Sequence, residues 1–183
     1  MNKRIKLTGI SGSLRENSSN TNILKQMALM MPDEIELFIY NGIGELPHFS
    51  PELDIEMPPA PVEKFRKQLT DSDGIIICTP EYAFGVPGSL KNALDWTVSS
   101  GEFVNKPLAL ITASLSGEKA HASLLDTLTA LSASIAEERI LLIPFIRSKL
   151  DEQGFIRIPE LLQRLQAILQ SFMTTCSENR SSG

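Results

Sequence analysis

At 183 residues, with 42% apolar and 21% charged side chains, the chain is long enough to bury one sizeable core, leaves little room for a second, and is too apolar to be disordered or fibrous. Its 17 Lys and Arg against 22 Asp and Glu give a formal charge of −5, which argues against broad nucleic-acid binding while leaving room for a local cationic site. No run approaches about 18 continuous apolar residues, the basic start MNKRIKLTGISGS has too short an apolar stretch for a secretory signal, and Cys78 and Cys176 form neither a disulfide framework nor a metal knuckle, so the expectation is a cytoplasmic protein with no membrane partner.

The predicted elements alternate along the chain. Residues 5–10, IKLTGI, make a short buried strand, and the small polar run SGSLRENSSN after it is a loop. Residues 20–31 make a helix with Asn20 or Ser18 as its cap and Ile23, Met27 and Met30 on one face, ended by Pro32. A second strand follows at 35–40, IELFIY. From Asn41 to Pro61 the chain is irregular and carries Pro47, Pro51, Pro58, Pro59 and Pro61, so it is a surface excursion in which His48 reads as solvated. A helix at 61–71 turns Phe65 and Leu69 inward. The run DGIIICT at 73–79 has the unbroken apolar character of a central parallel strand covered on both faces, with Cys78 as a buried small side chain. Then come a helix at 87–99 with Leu90, Leu94 and Val98 at helical spacing, a strand at 107–113, a helix at 119–136, a strand at 139–145, and a helix at 159–174 with Leu161, Leu162, Leu165, Ile168, Leu169 and Phe172 on its apolar side. The polar tail from about residue 176 is expected to fray, and Cys176 beside it is a candidate free thiol.

Five strand–helix units, each with a crossover long enough for a helix, predict a three-layer, doubly wound α/β domain spanning residues 1–183 around a parallel sheet. Ligands of such sheets sit beyond the carboxyl ends of the strands, which directs attention to the loops after the first, third and fourth strands.

The first loop reads GISGSLRENSSN at 9–20. Gly12 permits close backbone approach or a positive φ. Ser13, Ser18, Ser19 and Asn20 offer small donors, Arg15 offers a guanidinium fork, and the helix start offers unpaired N–H groups. Two readings fit these residues equally, a phosphate-monoester site and a Ser/Asn-rich turn that caps a helix. Neither GxGxxG nor GxxxxGK[ST] is present, which argues against a dinucleotide fingerprint and a nucleoside-triphosphate loop.

The third loop reads TPEYAFGVPGSLKNALDW at 79–96. Pro80, Glu81, Tyr82, Ala83 and Phe84 turn across the sheet edge and offer backbone polar groups and aromatic area to a flat ring. Trp96 serves as a helix-to-core anchor or a stacking residue, and Asp95 as a loop cross-link or a solvated acid.

GSLRENSSN and TPEYAFGVPGSLKNALDW together resemble the NAD(P)H-dependent FMN reductases, including quinone, azo and chromate reductase-like members, over roughly residues 4–172. The resemblance implies a flavodoxin-like fold with strand order 2-1-3-4-5, FMN as cofactor, NADPH or NADH as electron donor, a small-molecule acceptor, and a homodimer or homotetramer. It implies that Ser13, Arg15, Ser18 and Asn20 hold the FMN phosphate and that Pro80, Glu81, Tyr82, Ala83 and Phe84 meet the ring. The family usually has asparagine where Ala83 stands and often serine where Gly85 stands. In TASLSGEKAHAS at 112–123 the family's glycine-rich stretch is reduced to Gly117, and Ser114, Leu115, Ser116 and Gly117 are the expected contacts. Glu118, Lys119 and His121 beyond them either shape nicotinamide or acceptor entry or are a first-turn acid and solvated neighbours.

No catalytic side chain is expected, because hydride chemistry would belong to flavin N5. His48 and His121 have no third partner, and no metal site is predicted. A flavodoxin-like electron carrier and a non-enzymatic binding domain are the alternatives on this scaffold. The carrier's Thr-rich phosphate loop lacks an arginine, and a phosphorylation receiver needs acids where Thr8-Gly9-Ile10 and Cys78-Thr79 stand.

Overall fold

The computed structural model describes residues 4–181. Five strands, β1 (Ile5–Ser11), β2 (Ile35–Tyr40), β3 (Gly74–Thr79), β4 (Pro107–Ala113) and β5 (Ser134–Ile143), form one sheet in the order β2-β1-β3-β4-β5. All four pairings are parallel. This is the flavodoxin-like arrangement expected from the sequence.

The alternation of side chains along each strand divides the core in two. Ile76 and Cys78 of β3, with Leu7, Ala109 and Ile111, face α1 (Ser19–Leu29) and α5 (Pro159–Ser181). Ile75 and Ile77, with Ile10, Leu108 and Leu110, face α2 (Ala60–Thr70), α3 (Gly88–Asp95) and α4 (Glu118–Ala130). Every residue of β3 and β4 is buried, which is why their sequences are continuously apolar.

Several boundaries differ from the sequence reading. The fourth helix ends at Ala130 rather than near 136, because Ser132 takes a left-handed conformation (φ 57°) that no helix continues through. β5 therefore starts at Ser134, and its pairing slips: β4 advances from Leu108 to Leu110 while β5 advances from Ile135 to Ile140. α3 stops at Asp95, and Val98, expected inward, is exposed. The last helix runs on to Ser181 through the stretch expected to fray, and Cys176 is buried in the core.

Residues 41–61 hold two short 3-10 turns, Gly42–Glu45 and Pro51–Leu53, and dock on α3. The amide of Asn92 donates to the Pro47 carbonyl and its oxygen accepts from the Phe49 N–H. Trp96 is fully buried, its indole N–H donates to Pro47 O at 2.8 Å, and Phe49 meets it edge-on. Trp96 is thus an anchor between helix and loop. Arg66 of α2 completes the clamp by donating to the Trp96 carbonyl and pairing with Asp54 at 2.7 Å. Asp95 pairs only along its own helix, with Lys91. Among the described residues, no helix is long and apolar enough to cross a membrane, and no group of three His, Cys, Asp or Glu is arranged to hold a metal ion.

The slipped β4–β5 pairing is held by Arg139, which is 2% exposed. Its guanidinium donates to the carbonyls of Leu108 and Ser134 and to the hydroxyls of Ser171 and Thr175 on α5, and it lies 5.5 Å from the centre of the Phe172 ring. It supplies donors where the ladder cannot. Arg139→Leu takes these donors from the buried Leu108 carbonyl and the half-buried Ser134 carbonyl and is expected to cost about 2–4 kcal/mol. That lowers Tm by roughly 5–15 °C for a chain of this size, measured by circular dichroism. A Tm within about 2 °C of the parent contradicts this role.

Candidate functional site

The site begins at the carboxyl end of β1. The Gly12 N–H donates to Cys78 O at 2.8 Å, and a Cβ on Gly12 would come within 2.8 Å of the Thr79 Cβ. Close approach, not a positive φ, is what this glycine provides. Ser18 caps α1: its backbone is extended (φ −83°, ψ 134°) and its Oγ accepts from the Asn20 N–H at 3.2 Å. Asn20 is the capped residue and is turned inward. Its amide donates to Ala113 O at 3.3 Å and its Oδ1 accepts from the Cys78 thiol. The side chain expected to reach a phosphate is therefore engaged in joining β1's loop to β3 and β4. Burial pushes the Cys78 thiol far above its ordinary pKa, which leaves it inert as a nucleophile.

After β3, Pro80 and Glu81 lead into a tight two-residue turn. Tyr82 and Gly85 exchange both backbone hydrogen bonds (3.0 and 2.9 Å), and Ala83 (φ 49°) and Phe84 (φ 60°) both occupy the left-handed region. A turn of this geometry favours asparagine and glycine, so Ala83 and Phe84 hold it with backbone strain. An asparagine at the Ala83 position has this backbone use whatever its side chain touches. The turn carries Phe84 out to solvent, 80% exposed.

Glu81 does something the sequence did not suggest. Its Oε2 accepts from the N–H groups of Lys119 (2.9 Å) and Ala120 (3.0 Å), and its Oε1 from that of Gly117 (3.2 Å). The carboxylate caps α4 from another loop, and those backbone bonds, that of Ala120 first, hold its pKa below the usual carboxylate value. Gly117 sits at the helix start with φ 94°, where a Cβ would meet Leu142 and Thr112. The Ser114 Oγ accepts from the Glu81 N–H at 3.0 Å. His121 is half-buried and bonds to the buried Thr112 hydroxyl at 2.7 Å, and burial lowers its pKa.

These loops enclose a cavity of about 440 Å³ at the carboxyl edge of the sheet. Of the residues expected at the site, Ser13, Arg15, Ser18, Asn20, Pro80, Glu81, Tyr82, Ser114 and Leu115 line it. Ala83 and Phe84 lie out on the strained turn, and Ser116 and Gly117 lie beyond Leu115 toward α4; none of the four is on the wall. The Ser13 and Tyr82 hydroxyls meet at 3.2 Å. Phe145, Ile146, Arg147 and Ser148, on the chain leaving β5, form a further wall that the sequence reading missed, together with Ala113, and Ser19, one of the first loop's candidate donors, lines the cavity too. The signal was available, since the rule that points to strand carboxyl ends applies to β5 as well. Phe145 is itself left-handed (φ 52°), and its N–H and that of Ile146 donate to the carbonyls of Leu115 and Ser114.

Residues 5–146 match the family described as NADPH-dependent FMN reductase. The chain belongs to the NADPH-dependent FMN reductase family. Relatives include an NAD(P)H-dependent FMN reductase of Pseudomonas aeruginosa, 33% identical over 179 residues covering 93% of this chain and 95% of that protein. A 2-hydroxy-1,4-benzoquinone reductase of a Burkholderia species is 30% identical over 182 residues, covering 96% of this chain and 98% of that one. Among solved structures, a flavoenzyme NAD(P)H:(acceptor) oxidoreductase from Paracoccus denitrificans shares the fold with a TM-score of 0.82 at 24% identity, over 95% of this chain and 98% of that chain. The cavity of this FMN reductase family member carries two arginines on its wall, Arg15 and Arg147.

The Glu81 cap gives a pH-dependent expectation. Because the folded carboxyl has a lowered pKa, its contribution is present above the unfolded value and is lost as pH falls through the folded one. Glu81→Gln is expected to cost about 1–2 kcal/mol. This corresponds to roughly 2–8 °C in Tm at pH 7, and the gap between parent and variant narrows as pH falls below about 4. Equal Tm values at pH 7 contradict the cap.

Proposed function

We propose that this protein is an FMN-dependent NAD(P)H oxidoreductase that passes electrons from NADPH or NADH to a small acceptor of the quinone, flavin, azo, nitroaromatic or chromate type. The observation that carries the reading is the carboxyl-edge cavity, with unpaired Arg15 at the α1 end and the Pro80–Tyr82 segment on its wall. The names of the relatives, an FMN reductase and a benzoquinone reductase, support the donor and the quinone class of acceptor.

Arg15, Ser13 and the capped start of α1 would hold the phosphate, and the backbone of Pro80 and Glu81 with Tyr82 and Leu115 would hold the ring. Bound there, FMN supplies the two-electron chemistry between nicotinamide and acceptor. The chain's own contribution is binding and orientation. Asn20 fixes the first loop to β3 and β4, Glu81 fixes the third loop to α4, and the buried Cys78 brings no competing nucleophile. A monophosphate-sized loop without a pyrophosphate fingerprint supports FMN over FAD. The two buried thiols suit the cytoplasm. Homodimerisation or higher assembly is supported by the exposed Phe84, Leu115 and Phe145 near the cavity, and light scattering at micromolar concentration is expected to give at least twice the 20.2 kDa chain mass.

Flavin released from purified protein by denaturation is expected to be FMN on chromatography, and the holoprotein to oxidise NADH or NADPH in the presence of benzoquinone. Arg15→Ala removes a charge-assisted bond and weakens FMN binding by about ten- to a hundredfold. Lys91→Ala, which disturbs only a surface pair with Asp95, leaves it unchanged. Recovery of FAD alone, absence of flavin uptake, or equal affinities for the two variants overturns the corresponding part of the reading.

A further inference from the structure

We propose that Arg147, on the turn that leaves β5, is a second cation for the cofactor's phosphate monoester, acting with Arg15. This rests on the FMN reading of the cavity and extends it to a residue just past the stretch 5–146 that matches the family.

The first argument is position. Arg147 and Ser148 line the same cavity as Arg15, Ser18 and Ser19, although well over a hundred residues separate them along the chain. The turn is fixed rather than loose. Phe145 is held left-handed, the Phe145 and Ile146 N–H groups donate to Leu115 O (3.0 Å) and Ser114 O (3.1 Å), and both the N–H and the hydroxyl of Ser148 donate to Phe145 O. Ile146 is buried in the core beneath. A non-glycine residue in that backbone region persists only where its surroundings enforce it.

The second argument is charge. In a chain with 22 acidic and 17 basic residues, two guanidinium groups share one cavity and neither has an ion-pair partner among the described residues. Glu81 is the single acidic side chain on the cavity wall, and its carboxylate is already bound to the start of α4. A phosphate monoester carries about −1.5 to −2 at pH 7, so a pair of arginines balances it where Arg15 alone leaves about half its charge unmatched. Guanidinium is also the side chain best matched to phosphate oxygens.

An organic phosphate could come from the flavin monoester or from the nicotinamide dinucleotide, and the test separates them. FMN and riboflavin are titrated into flavin-free full-length protein, parent, Arg147→Ala and Arg147→Lys, at two salt concentrations, and KM for NADH and NADPH is measured on the reconstituted enzymes. The expected result is that Arg147→Ala weakens FMN binding by about ten- to a hundredfold while riboflavin affinity stays within about twofold. Arg147→Lys recovers part of the loss, and the salt dependence of FMN binding is shallower in the alanine variant. Equal losses for FMN and riboflavin make Arg147 a wall residue and overturn the assignment. Unchanged FMN affinity with a raised nicotinamide KM assigns it to the dinucleotide and overturns it too. If the parent binds no flavin, the cofactor reading itself fails; if the parent binds FMN and Arg147→Ala binds it equally well, only this assignment fails.

Discussion

The cavity depends on where the Glu81 carboxylate goes. By accepting three backbone N–H groups at the start of α4, it joins the loop after β3 to the loop after β4, and the same contact is reinforced by the Glu81 N–H bonded to Ser114. The next link runs from that loop to β5, because the carbonyls of Ser114 and Leu115 accept from Ile146 and Phe145. Three loops that are independent in sequence thereby become one hydrogen-bonded rim. Asn20 attaches the fourth by reaching Ala113 and Cys78 from α1. Each bond replaces one the backbone would make to water, so the individual gain is modest. The value of the set is geometric: it ties the loops into one hydrogen-bonded rim, and pre-ordering of this kind lowers the ordering cost of binding.

This arrangement also sorts the charges. Glu81, though on the cavity wall, turns its carboxylate oxygens to the N–H groups at the start of α4, and His121 bonds to Thr112, where burial lowers its pKa. The other charged side chains lining the cavity are Arg15 and Arg147. An acidic protein can thus present a locally positive enclosure without a basic surface. Of the left-handed non-glycine residues, Ala83, Phe84 and Phe145 fall in the same region and Asn105 and Ser132 do not, while the central strands below are fully buried. Strain of this kind is tolerated where a stable core underwrites it.

Much of the architecture was legible in the chain. DGIIICT and PLALITA could only be strands covered on both faces, and five strand–helix units with long crossovers require a parallel sheet. The position of the site followed from the same rule, and GSLRENSSN and TPEYAFGVPGSLKNALDW marked two of its walls. The errors have a common origin. Ser132 and the slipped β4–β5 pairing moved the end of α4 and the start of β5, and the buried Arg139 that fills the slip looks in sequence like an ordinary charged residue. Ala83 and Phe84, which the resemblance places at the ring, sit on a hairpin turn outside the cavity lining, and the φ values that shape this turn are not revealed by composition.

The sequence by itself determined the fold class, the first four strands, the glycine at 12 and the presence of Arg15 in a helix-opening loop, because these rest on local properties: apolar periodicity, steric freedom and helix capping act within a few residues. Tertiary structure alone decided that Asn20 turns inward, that Glu81 caps a helix almost forty residues away, and that Arg147 shares a cavity with Arg15. A polar side chain's partner is set by which groups the packed sheet brings within hydrogen-bonding distance. That is a property of the assembled strand order, in which β1, β3, β4 and β5 present their carboxyl ends side by side, and not of any one segment of the chain.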